Sequence, residues 1–234
     1  MSAKLTVHTT PSQDATCFET YWTTGRKQGI VKTSLADSID QDRPIIAELS
    51  AIHFLLSHQH LLGEGRAGNQ MEIEVTFGAI RKLSMGSSTK GHLMNHGKFL
   101  LTRYADAKVT VSKDTTWIVP ERAINRVEAL DINEPLAEIV DVAGVGSVSV
   151  SYHLLDRMMQ RANYASITAA WQHLCKMLCG GQLARVALPP SVAKHKADKH
   201  GSTGIHLKAL RDHWHFVIAQ SGPRPTLVTA YVRL

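Results

Sequence analysis

At 234 residues, with 44% hydrophobic and 20% charged side chains, the chain has the length of one large domain or two small ones and the composition of a folded protein, not a disordered one. No run of 18 apolar residues occurs, which excludes a transmembrane helix, and "MSAKLTVHTTPSQD" lacks the apolar centre of a secretory signal. The net charge of +6 is uneven: residues 1–147 hold 15 Lys and Arg against 17 Asp and Glu, whereas residues 148–234 hold 11 against 3, with seven of the 13 histidines.

The opening stretches "AKLTVHTT" (3–10), "ATCFETYWTTG" (15–25) and "GIVKTSL" (29–35) are rich in Thr, Val and aromatics, which predicts three strands of an antiparallel meander. "SIDQDRPIIAELSAIHFLLSHQHLL" opens with Asp and Ser caps and a proline before an apolar-periodic run, so a helix follows, burying Ile46, Leu49, Ile52, Phe54 and Leu56. "MEIEVTFGAI" (71–80) alternates as a strand, "SSTKGHLMNHGKFLLTRYA" (87–105) reads as a glycine-weakened helix, and "AKVTVSKDTTWIV" (107–119) as another strand. Residues 120–147, with two prolines and an acidic bias, read as a short helix and a linker between domains spanning 1–119 and 148–234. Beyond them, "SVSVSYHLLDRMMQRA" feeds a helix, and "SITAAWQHLCKML" is a second one, capped by Ser166 and stopped by two glycines. Four β-like stretches follow, "LARVALP", "GIHLKAL", "HWHFVIAQ" and "TLVTAYVRL", with "PPSVAKHKADKHGSTG" as a polar loop among them. Overall the expectation is an α+β protein: a mixed sheet first, then a small domain of two helices and an antiparallel sheet.

The basic second half has the electrostatic footprint of a polyanion binder, with nucleic acid, RNA more than DNA, as the expected partner and no membrane surface. In "YHLLDRMMQR", His153, Arg157 and either Gln160 or Arg161 lie at i, i+4 and i+7 or i+8 and share one helix face, while Leu154, Leu155, Met158 and Met159 turn toward the sheet. Arginine clamps phosphate and histidine titrates near neutral pH, which are parts that metal-free RNA cleavage requires. On the C-terminal strands, alternation places His213 and His215 on one face with Trp214 on the other. It likewise aligns Thr229, Tyr231 and Arg233 opposite Val228, Ala230 and Val232. Tyr231 can stack on an unpaired base. Arg161, Lys194, Lys196, Lys199, Lys208, Arg211 and Arg233 are the expected phosphate contacts. No metal or other cofactor is expected, because no cysteine or carboxylate stands at ligand spacing from the pairs His195/His200 or His213/His215. Cys17, Cys175 and Cys179, an odd number, are expected as reduced thiols of a cytoplasmic protein.

Over residues 3–118, the succession of three strands, a helix with a glutamate, a strand, a helix and a strand resembles a ribonuclease H-like fold, most specifically in "RPIIAELSAIHFLL". The resemblance implies that Glu48 occupies the place of that family's helix glutamate. It also implies acids on the first and fourth strands, where this chain has His8, Thr9 and Thr10, and Thr76 and Phe77. One carboxylate does not hold two divalent ions, so the resemblance implies a domain that binds, scaffolds or self-associates and does not cut. Over residues 148–234, the spacing of His153, Arg157 and Arg161, then "HWHFV" and "VTAY", resembles the barnase/colicin/RelE-like ribonuclease superfamily, whose members include toxins that cleave RNA without metal. That resemblance implies catalytic roles for His153, Arg157, Thr229 and Tyr231, with His213 or His215 as an added acid or base. A toxin-like endoribonuclease is therefore one expectation. A non-catalytic RNA- or DNA-binding module of a phage or mobile element, and an interaction or inhibitor protein with a basic docking face, are the others.

Overall fold

The computed structural model describes residues 3–13, 17–63, 68–136, 138–180, 182–200, 202–211, 213–220 and 225–232, and the chain divides into two compact units, residues 1–136 and 137–234. Both units are α+β, each built on a mixed six-stranded sheet.

In the first unit, β1 (Ala3–Pro11), β2 (Phe18–Thr23) and β3 (Gln28–Leu35) form the expected antiparallel meander. After α1 (Arg43–His53), β4 (Met71–Val75) joins β1 in parallel. Helices α2 (Gly78–Ser84) and α3 (Gly91–Gly97) precede β5 (Lys108–Val111), which is parallel to β4, and β6 (Val127–Ile132) closes the far edge parallel to β3. The order is therefore β5-β4-β1-β2-β3-β6. Helix α1 carries Pro44 in its first turn, where a missing N–H has no intrahelical partner. It buries Ile46, Leu49 and Ile52 against Leu5, Val7, Val31 and Ile73. The apolar run continues to Leu56 through a wider turn over Phe54–His58, closed by the Gln59 N–H donating to the Phe54 carbonyl at 3.0 Å.

In the second unit, β7 (Glu138–Val142) and β8 (Gly146–Val150) form a hairpin ahead of α4 (Tyr152–Ala162) and α5 (Ile167–Cys179). Then come β9 (Leu183–Arg185), α6 (Pro190–His200), β10 (Ile205–Ala209), β11 (Trp214–Ala219) and β12 (Thr226–Val232). The order is β7-β8-β12-β11-β10-β9, antiparallel except where β12 runs parallel to β8. Leu154, Leu155 and Met158 of α4 and Trp171, Leu174 and Leu178 of α5 pack on Phe216, Ile218, Leu227 and Ala230. Ser151 caps α4, its Oγ accepting from the Leu154 N–H at 3.2 Å and donating to the Leu227 carbonyl at 3.0 Å. Ser166 caps α5 as expected, accepting from the Ala169 N–H at 3.1 Å.

Three expectations change. Residues 120–147 are not a linker: they supply a short 3-10 turn (Glu121–Ala123), then β6 of one sheet and β7 of the other, and the division between units falls at 136/137. In each strand the two acids stand three residues apart, Glu128 and Asp131 in β6 and Glu138 and Asp141 in β7, so they occupy both faces, and only the burial alternates at period two. The second sheet is mixed, because the strand ahead of α4 pairs in parallel with the last strand. The polar stretch read as a loop is α6, entered through Pro190.

Candidate functional site

Glu48 is fully buried on α1, and its Oε1 accepts the Thr76 N–H at 2.7 Å. Thr9 of β1 and Thr76, just past β4, complete the cluster: the Thr9 N–H donates to the Thr76 hydroxyl at 3.1 Å, and the Thr9 and Thr20 hydroxyls share a 2.9 Å bond. The glutamate thus meets the two strand ends that the resemblance implies, and both ends carry hydroxyls. Burial pushes the Glu48 carboxyl above the usual range, against the opposing pull of the Thr76 and Thr9 hydroxyls. A group so placed acts as an internal staple between helix and sheet. Glu48→Gln, which still accepts the Thr76 bond, is expected to unfold in urea within about 1 kcal/mol of the parent, whereas Glu48→Ala should lose about 2–4 kcal/mol through a cavity and a stranded N–H. An alanine variant as stable as the parent would remove the staple.

On α4, His153 is exposed and Arg157 half-buried. The Arg157 Nε donates to His153 Nε2 at 3.3 Å and a terminal nitrogen donates to Gln160 Oε1 at 3.4 Å, while Arg161 donates to the Ala230 carbonyl at 2.5 Å. His153, Arg157 and Gln160 therefore form the expected line, on the side of α4 away from its buried leucines.

The other face of the sheet carries the C-terminal candidates. Trp214, Phe216 and Ile218 face the helices, so His215 and Val217 face away from them. Tyr231 lies opposite His215 and Thr229 opposite Val217, and the His215 and Tyr231 rings stack at 5.1 Å and 11°. On β10, Lys208 lies opposite His215 and His206 opposite Val217. His215, Thr229, Tyr231 and Lys208 are thus brought together, separated by the thickness of the sheet from His153 and Arg157. His213 is not on this strand face: it precedes β11 in a left-handed turn, φ 56°, and is exposed. Lys194 and Arg211 are exposed, on α6 and in the turn after β10. Arg233 and the side chain of Lys199 lie outside the described residues.

Val228 does not face the helices as alternation predicts. Thr229 pairs with Val217 and Leu227 with Ile218, so Val228 is an extra residue, a β-bulge. The bulge turns both Val228 and Thr229 into one cavity of about 390 Å³, closed on another side by Lys196 of α6.

His206 was not among the expected site residues. Its signal is in "IHLKA", where alternation puts His206 and Lys208 on one face. It is 7% exposed, and its Nε2–H donates to the Thr203 carbonyl at 3.2 Å, which leaves Nδ1 as the bare nitrogen. Burial lowers its pKa, helped by the charge of Lys196 and opposed by the Thr203 bond, so the ring is neutral at pH 7. Diagonal positions on adjacent strands are about 7–8 Å apart, and His206 and His215 stand on such a diagonal of one sheet face.

Among the described residues no group of three or more His, Cys, Asp and Glu side chains is placed to share a metal ion, and no helix is long and apolar enough to cross a membrane. Comparisons with protein-family models, curated proteins and solved structures find no match to this chain.

Proposed function

We propose that the protein binds RNA through its second unit and cleaves it without a metal on the outer face of β10–β12. The observation that carries this reading is the convergence there of two imidazoles, His206 and His215, with Lys208, Thr229 and Tyr231. The charge supports it: residues 137–234 hold 11 Lys and Arg against 5 Asp and Glu, the whole excess of the chain.

In the proposed reaction His206 Nδ1 takes the proton of a 2′-hydroxyl, whose oxygen attacks the adjacent phosphorus. The bond from phosphorus to the 5′-oxygen breaks, His215 in its protonated form donates to that oxygen, and Lys208 offsets the charge on the phosphorane. The products are a 2′,3′-cyclic phosphate and a 5′-hydroxyl. His153, Arg157 and Arg161 fall to phosphate contacts on the helix side. The resemblance to barnase/colicin/RelE-like ribonucleases agrees with two helices followed by antiparallel strands that end in "VTAY".

For the first unit we propose a ribonuclease H-like domain without cutting activity. Strand order and directions support the fold, and Thr9 and Thr76 beside Glu48 support the loss of metal ligands. Its role is then to scaffold, to self-associate or to hold a protein partner.

The test is incubation of the full chain with RNA, and separately DNA, in EDTA, with the ends mapped. Cyclic phosphate ends on RNA are expected. A second reading, a binding module without turnover, is favoured by the burial of both imidazoles, each 7% exposed. Intact RNA that is nevertheless retained, with affinity falling steeply as salt rises, would replace the first reading by the second.

A further inference from the structure

The cavity beside the two histidines has features that cleavage chemistry alone does not require. Its lining combines the apolar Val217, Ala219 and Val228 with the polar Lys196, Ser202, Thr203 and Thr229. At about 390 Å³ it sits near the small end of the roughly 300–1,000 Å³ of ligand pockets. Two backbone features build it. The bulge at Val228 turns two consecutive side chains of β12 into the same space. Opposite, Gly204 has φ +66°, and a Cβ there would lie 2.7 Å from the Ile218 carbonyl oxygen, so only glycine lets the 202–204 segment press against β11 and wall the cavity.

We infer that this cavity is a subsite for one unpaired nucleotide of an RNA strand. The inference rests on the proposed RNA-binding role and names the substrate form: single-stranded, with one base turned out of the stack. A nucleobase has apolar faces and a hydrogen-bonding edge, which match the valine and alanine side chains and the hydroxyls of Ser202 and Thr229 in the lining. Its phosphate is anionic, which matches Lys196 in the lining. A purely apolar ligand would leave that cation and those hydroxyls without use, and a duplex keeps its bases stacked and cannot fill the cavity. Because Val217 faces His206 across the strands, a base seated here holds the neighbouring phosphodiester beside both imidazoles.

The experiment titrates the full chain with a 2′-O-methylated heptanucleotide, which binds but cannot be cleaved by this route, and with a blunt duplex of the same sequence. Preference for the single strand by about tenfold is expected, and Ala219→Phe, which fills the cavity without changing charge, is expected to lose about tenfold in affinity for the single strand alone. A parent protein that binds neither probe overturns the RNA-binding reading and this inference together. A parent that binds and an Ala219→Phe variant that is folded and binds equally well overturn the inference alone. If Ala219→Phe does not fold, the parent's amide spectrum on adding uridine 3′-monophosphate decides: shifts at residues 202–204, 217–219 and 228–229 are expected, and shifts confined to other residues overturn the subsite.

Discussion

His215→Gln and His206→Gln are each expected to slow metal-free RNA cleavage by about 10²–10⁴-fold, the usual worth of a positioned acid or base, while His153→Gln leaves the rate nearly unchanged. Glutamine keeps the size and hydrogen-bonding capacity of the imidazole but cannot exchange its proton. The measurement is single-turnover cleavage in EDTA, with thermal melting to establish that each variant is folded. The double variant should cost little more than either single one, because an acid and a base acting in one step do not contribute independently. The acid limb of the pH profile should lie below the ordinary histidine value of 6.5, since His206 must be neutral to accept a proton and burial holds it neutral at lower pH.

The contrast with His153 discriminates between the two sides of the sheet. His153 is exposed on α4 and accepts from Arg157, whereas His215 and His206 face away from the helices. Cleavage that survives His215→Gln and His206→Gln but disappears with His153→Gln would return the chemistry to α4 and sink the sheet-face site.

What the sequence could reveal depended on period. The strands β1–β3 and the helix α1 are legible because their apolar residues repeat at two and at three to four, whereas the meeting of Glu48 with Thr9 and Thr76 is legible only through the resemblance to a ribonuclease H-like fold. The strands β6 and β7 are obscured by Glu128, Asp131, Glu138 and Asp141, which stand three apart in each strand, put an acid on both faces and so break the period-two pattern. Helix α6 has almost no apolar stripe, so prolines and lysines hid it. The side-chain directions on β12 followed alternation at Thr229 and Tyr231 but failed at Val228, because a bulge is a matter of pairing with β11 and leaves no mark in one strand read alone. The pairing of β12 with β8, and with it the mixed character of the second sheet, is likewise a long-range contact that no local pattern encodes.

Acid should destabilise the first unit through His53. This side chain ends α1, is 2% exposed and stacks on Phe99 at 4.6 Å and 8°. Burial, reinforced by the positive charges of His58, Lys98 and Arg103, pushes its pKa down to about 3. In the unfolded chain the same imidazole titrates near 6.5. Between those values the unfolded state binds the proton and the native state refuses it, so stability is lost as pH falls from about 6.5 toward 3. At about 1.36 kcal/mol for each pH unit, the loss reaches on the order of 5 kcal/mol, comparable to the whole stability of many small domains. Glu48 works with the opposite sign: its raised pKa makes the native state hold a proton above the ordinary carboxyl range, so its contribution weakens as pH rises through that range. A variant that removes only the imidazole separates the two. His53→Phe keeps an aromatic ring against Phe99 and cannot take up a proton in the unfolded state, so its urea midpoint should depend much less on pH between 6.5 and 3.5 than the parent's, and the two proteins should diverge most at the acid end. The readout is the NMR signal of core methyls in the first unit, such as Leu49 and Ile52, which follows that unit separately from the second. Parallel pH profiles for parent and variant would mean that His53 is protonated inside the native core, and the burial argument would fall with them.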